Sequence, residues 1–244
     1  MVALTHAFPT VQVDMVYRLL HLSMRGHVML HLAQKVAGVT VNGTDGEIGT
    51  LEDFYFEEDG WTVRYLLVDT GKWLSGKKVL VSPMDVKGSW TMAEVPVSLT
   101  KDQVWSSPEF DPKRRLSEDD EEKLLRHYGH PSYWADGAAP RHILRSTRES
   151  TGYHLHATDG EIGHVDDFLI GENSWKIRYL LVDTSNWIGG KSVVVSSDAL
   201  EGVDKDNGTL KVSATRDAVK HSPKFASIED AIGPAENGPP FVII

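Results

Sequence analysis

The 244-residue sequence predicts a mainly β fold in which two small antiparallel β barrels are joined by a short helical linker. Three observations carry this reading. The first is duplication: Thr44-Asp45-Gly46-Glu47-Ile48-Gly49 returns as Thr158-Asp159-Gly160-Glu161-Ile162-Gly163, and Trp61-x-x-Arg64-Tyr65-Leu66-Leu67-Val68-Asp69-Thr70-x-x-Trp73 returns as Trp175-x-x-Arg178-Tyr179-Leu180-Leu181-Val182-Asp183-Thr184-x-x-Trp187. The second is that short apolar runs within each copy are punctuated by Asp-Gly and similar turn signals. The third is a stretch between the copies that carries the marks of a capped helix. A period of roughly a hundred residues, far above that of solenoids, leads us to expect each copy to close its own core.

Composition narrows the function classes. Hydrophobic residues make up 41% and charged residues 25%, as in a soluble globular protein, and no run reaches the ~18 uncharged apolar residues of a membrane span. There is no cysteine, which removes disulfides, thiolate metal sites and cysteine nucleophiles. A cytoplasmic location is the expectation. The net charge of −10, with its excess in the first copy and the linker, disfavours direct nucleic-acid binding, which needs clustered Lys and Arg.

In chain order, residues 1–28 have no counterpart in the second copy and read as an extension; Met1, Met15, Met24 and Met29 are alternative starts. Residues 29–110 form the first barrel and 141–227 the second. In the second copy a hairpin at Asp159-Gly160 leads into strands over Ile162–Ile170, Trp175–Asp183 and Lys191–Ser196. Asp206-Asn207-Gly208 then turns the chain into Thr209–Val212, and a helix over Thr215–His221 follows. The first copy repeats the plan. In the linker, 111–140, Ser117 is an N-cap followed by four acidic residues in the first turn, and Gly129 with Pro131 ends the helix. Its apolar residues Leu124, Leu125 and Tyr128 are expected to lie across the junction of the barrels, with Tyr133 and Trp134 where the second barrel begins. The tail, 228–244, is rich in Gly and Pro and closes on Phe241-Val242-Ile243-Ile244.

These motifs, Asp-Gly-Glu-Ile-Gly, Asp-Phe, and Trp-x-x-Arg-Tyr-Leu-Leu-Val-Asp-Thr, with a Gly-Lys pair before Val-x-Val-Ser, resemble the PRC-barrel domain of the photosynthetic reaction centre H subunit and of the ribosome maturation factor RimM. The resemblance covers residues 29 to about 110 and 141 to about 225. The linker Tyr128-Gly129-His130-Pro131-Ser132-Tyr133-Trp134 is similar to that of soluble bacterial tandem PRC proteins. What the resemblance implies is a binding and scaffolding module, with neither the membrane helix of H subunits nor the partner domain of RimM in this sequence.

No residue set presents itself as catalytic. Asp69 and Arg64, like Asp183 and Arg178, are five apart on one strand and point to opposite faces; the Asp-Thr pairs are expected to hold the following turn. His154 and His156 share a strand face but lack third and fourth metal ligands. An Asp159-Gly160 turn would set His156 opposite Gly163 and Leu155 opposite His164. Gly46, Gly49, Gly160 and Gly163 are turn and close-packing residues, because no helix follows to receive a phosphate. Glu52-Asp53 and Asp166-Asp167 read as solvated edge charges. No cofactor and no metal is expected.

The expected function is therefore a non-enzymatic protein-protein interaction or scaffold module, with packing between the two barrels and another protein as partner. Trp73 and Trp187, in Gly- or Ser-bounded loops, together with Tyr128, Tyr133 and Trp134, are the candidate contact residues. A RimM-like ribosome or RNA association is the alternative, and an enzyme of unknown chemistry a second one.

Overall fold

The computed structural model describes residues 29–91, 93–134, 143–184 and 192–221. The first copy contributes β2 (Thr40–Gly43), β3 (Gly46–Glu57), β4 (Thr62–Asp69), β5 (Lys78–Val81) and β6 (Glu94–Pro96), hydrogen-bonded in the order β5-β4-β3-β2-β6. The second contributes β8 (His154–Ala157), β9 (Gly160–Gly171), β10 (Ile177–Asp183), β11 (Ser192–Ser196), β12 (Leu200–Asp204) and β13 (Thr209–Val212), in the order β11-β10-β9-β8-β13-β12. Strands β3 and β9, at 12 residues each, are the longest. Both carry bulges against their neighbours, which bends them and lets one strand run past the end of its own hairpin.

Two expectations about the sheets need correction. They are not antiparallel throughout, since β2 pairs with β6, and β8 with β13, in parallel. Nor do the ladders close: β11 and β12 are the two ends of the second sheet, and the chain passes between them through a 3₁₀ turn at Ser197–Ala199. The Ser196 hydroxyl accepts from the Asp198 N–H to fix that corner, as the Ser82 hydroxyl does from Met84 in the first copy. The turn register of the second hairpin also differs, because a bulge places Leu155 opposite Gly163 and His156 opposite Glu161. The Asp-Thr pair does hold its turn, Asp69 accepting from the Gly71 N–H (2.8 Å) and the Thr70 hydroxyl donating to the Lys77 carbonyl (2.7 Å).

The copies do not close separate cores. Strand β1 (Leu30–Leu32) and helix α1 (Ala33–Val36), at the head of the first copy, lie on the second sheet, where β1 pairs with β9 from Leu169 to Gly171. Strand β7 (Leu144–Ser146) and helix α4 (Thr147–Ser150), at the head of the second copy, lie on the first sheet, where β7 pairs with β3 from Tyr55 to Glu57. Thr44 and Thr158 fix the offset between copies at 114 residues, and every partner in one exchange is 114 residues from its counterpart in the other. At the centre Thr62 bridges Lys176; the Val63 N–H donates to the Trp175 carbonyl (2.8 Å) and the Ile177 N–H to the Trp61 carbonyl (2.7 Å). These are self-equivalent contacts about a pseudo-two-fold axis. One buried cluster runs through both copies and includes Phe54, Phe56, Trp61, Trp90, Phe168, Ile170 and Ile177. Exchange follows from size: a sheet of under 90 residues leaves an apolar rim that its twin can cover.

The linker departs from expectation in position. Helix α3 (Glu118–Tyr128) has the predicted caps, with Ser117 accepting from the Asp120 N–H and Gly129 left-handed at φ 73°. It lies on the outer face of the first sheet instead of across the junction. There Leu124 joins Tyr55, Tyr65, Leu67, Leu80 and Phe110 in a second cluster, with Leu116, Tyr128 and Leu144 packed against it. Phe110 meets Tyr55 edge-on at 5.2 Å. This placement is physically reasonable because β7 extends the first sheet and enlarges the apolar face a helix can cover. Among the described residues no helix is long and apolar enough to cross a membrane.

Candidate interaction site at the exchanged strands

The two exchanges use equivalent backbone and different side chains. On the first sheet Arg145 of β7 donates through Nε (3.1 Å) and Nη2 (2.9 Å) to Glu58. Helix α4 (Thr147–Ser150) then presents its N-terminus to Asp53, which accepts from the Ser146 hydroxyl, the Thr147 hydroxyl (2.8 Å), the Arg148 N–H (3.1 Å) and its neighbour's Phe54 N–H (2.7 Å). Arg148 also pairs with Glu52. Asp53 is 5% exposed, and burial pushes its carboxyl up even though all four hydrogen bonds pull it down.

On the second sheet the arm formed by β1 and α1 makes fewer side-chain hydrogen bonds. His31 stands where the other arm has Arg145, and its Nε2 meets Glu172 at 3.3 Å, the residue equivalent to Glu58. Burial lowers the His31 pKa, against the raising influence of Glu172. Asp167, the counterpart of Asp53, accepts from the Gln34 N–H (3.2 Å) and the Phe168 N–H (2.7 Å), and the positions matching Ser146 and Thr147 are Leu32 and Ala33, which have no hydroxyl to give. With those two donors and 5% exposure, its carboxyl is pushed up to about 6 by burial. Gln34 adds a side-chain bond to the Asp166 carbonyl.

Trp90 seals this second junction. It is 1% exposed, stacks on Trp175 (4.9 Å, 9°), lies against His31 (4.1 Å) and Phe54 (5.9 Å), and donates its indole N–H to the Glu172 carbonyl (3.2 Å). An indole from one copy is thus buried against the other.

The expectation of solvated edge charges fails at Asp53 and Asp167. Each is buried because the sheet edge there is covered by the other copy's arm, and each caps that arm's helix. Glu58, Glu172, His31 and Trp90 carried no signal that composition or spacing exposes. The repetition of Asp-Phe at Asp53-Phe54 and Asp167-Phe168 was the available clue to the caps, whereas Trp90 stands where the repeat slips and has no twin.

The sequence-nominated contact residues fall elsewhere. Tyr128 ends α3, half-buried between the two clusters. Tyr133 donates its hydroxyl to Glu121, which also accepts from Tyr65 (2.8 Å), while the Arg64 guanidinium lies over the Tyr133 ring at 4.1 Å. Burial, and then the Glu121 charge, raise both tyrosine hydroxyls far above their ordinary value. Trp134 meets Tyr133 edge-on at 4.8 Å. These three form a strap that ties the linker to the first sheet, and His130 reinforces it through Asp85 (2.8 Å). Trp187 and the side chain of Trp73 lie outside the described residues. Trp105, at the end of helix α2 (Lys101–Trp105), is 59% exposed and Met84 57%. Among the described residues no three of His, Asp and Glu gather as metal ligands.

A strand order with exchanged heads and a duplicated core define a two-copy β module. The model of the PRC-barrel domain matches twice, over residues 32–92 and 155–219. The chain belongs to the PRC-barrel family, as a tandem member. It is also similar to an uncharacterized protein of Deinococcus radiodurans, 36% identical over 97 residues, a match that covers 36% of this chain and 34% of that protein. The chain thus spans about a third of the length of this relative.

Proposed function

We propose that this protein is a non-enzymatic, cytoplasmic interaction module that holds another protein on its paired PRC copies. The observation that supports this most directly is the reciprocal exchange of strands, because an edge that accepts a strand from outside its own copy is built for β-augmentation. The exposed face of Trp105 supports it too, since partly exposed large aromatics are frequent anchors of protein contacts. Trp73 and Trp187, in matching loops, are proposed as further contacts on the strength of the repeat alone, while Tyr128, Tyr133 and Trp134 serve first to fasten the linker. The test is affinity capture of the tagged chain from its own cells, with Trp105→Ala run in parallel. A partner retained by the parent and reduced by the variant is expected; capture of nothing above a tag-only control would refute the reading.

A further inference from the structure

The two arms occupy equivalent edges and so state, twice over, what such an edge accepts. In both, a leucine begins the strand (Leu30, Leu144), a basic residue follows it (His31, Arg145) against a glutamate (Glu172, Glu58), and a single helical turn comes after, capped by a buried aspartate (Asp167, Asp53). The fit is unequal. The β7 arm gives its glutamate two guanidinium bonds and its aspartate two hydroxyls, while the β1 arm offers one 3.3 Å imidazole contact and no hydroxyl. Asp167 accepts from two backbone N–H groups, both on one carboxylate oxygen, so its second oxygen keeps acceptor capacity for the hydroxyls of a better-matched arm.

We propose that the edge of β9 from Leu169 to Gly171, with Glu172 and Asp167, is a docking site for an extended segment of a partner protein reading Leu-Arg-Ser-Thr or close to it, and that the β1 arm is its displaceable resident. This rests on the interaction-module reading and gives it a partner chemistry. The arginine of the incoming strand takes the place of His31 on Glu172, and its two hydroxyls reach Asp167 as Ser146 and Thr147 reach Asp53. The strand hydrogen bonds are those β1 already makes, so the exchange costs no backbone pairing.

The probe is a fluorescent peptide with the sequence of residues 143–150, titrated into the purified full chain. Because the chain has no cysteine, a Leu32→Cys/Leu169→Cys pair, at positions that face each other across β1 and β9, provides a lock that closes on oxidation and opens with reductant. Saturable binding is expected, at least about ten-fold tighter than for a peptide of residues 29–36, the equivalent of one charge-assisted hydrogen bond. Binding should vanish in the oxidised lock, return on reduction, and weaken by a similar factor in Glu172→Gln, which needs no new bond to form. Absence of saturable binding at millimolar peptide, or binding indifferent to both the lock and Glu172→Gln, overturns the proposal. The assay uses purified components, so its failure is separate from a failure to capture a partner from cells.

Discussion

Replacing Trp90 with alanine tests whether the two copies are one cooperative structure. The indole is 1% exposed and touches His31, Phe54 and Trp175, so its loss empties a large aromatic site in the shared core. Truncations of this kind cost about 3–5 kcal/mol. The Glu172 carbonyl also loses its donor in a buried setting, which adds about 1 kcal/mol. A chain of this length loses roughly 2–4 °C in Tm per kcal/mol, so a fall of roughly 10–20 °C is expected. Urea unfolding followed by tryptophan emission and by far-ultraviolet circular dichroism provides the free energy, and the two probes report whether both copies still unfold together. A loss under about 1.5 kcal/mol would refute the reasoning, since it would mean the loop collapses onto the void and the indole does not hold the copies together.

Three further outcomes are expected. Gly49→Ala and Gly163→Ala should each destabilise by about 2–3 kcal/mol, because a Cβ at either position runs into a backbone carbonyl, Asp69 or Asp183, that cannot swing away; melting curves check this. The stability difference between the parent and Asp167→Asn should change with pH. A carboxyl raised from 3.8 to about 6 by burial contributes most stability at low pH, where it is neutral, and loses it as pH rises through about 6. Asparagine should therefore compare better with the parent at pH 7 than at pH 4, by at most about 3 kcal/mol, and a pH-independent difference in urea midpoints would contradict this. His31 acts in the opposite sense: its lowered pKa makes a contribution present above the ordinary 6.5 and lost as pH falls through its folded value, so the Asp167 comparison is best repeated in His31→Gln. Titration of labelled RNA at two salt concentrations should show no micromolar, salt-sensitive binding, given a net charge of −10; steep salt dependence would favour the ribosome-associated alternative.

The duplication, the hairpins, the linker helix and the family could all be read from the sequence, because turn chemistry, capping and repetition are local or self-referential signals. Ser117 and Gly129 show this, each sitting at the cap its residue type implied. The exchange could not be read in this way. Nothing in Leu30-His31-Leu32 says whether it pairs with its own copy or the other, since both long strands offer the same edge and the choice is made by the path from α1 into β2. The burial of Asp53 and Asp167 is hidden for the same reason: their covering comes from residues 94 and 133 positions away in sequence, Thr147 and Gln34. Charge pattern along a strand reports which face a residue takes; it does not report whether another chain segment lies on that face.

Fusion of two copies into one chain removes the reason for the two edges to stay alike. In a homodimer of single copies both arms would have one sequence, and any change would alter both junctions at once. Here Arg145, Ser146 and Thr147 fasten one arm, while His31, Leu32 and Ala33 leave the other with fewer bonds on an equivalent site. The linker adds to the asymmetry. Its Leu124, Tyr133 and Trp134 cover or strap the first sheet, so the arm that is already best bonded also has its own Leu144 packed against the cluster that the linker helix joins. On the second sheet the β1 arm relies instead on burial under Trp90, so the polar groups of its edge, Glu172 and Asp167, are the ones a better-matched strand would bond more fully.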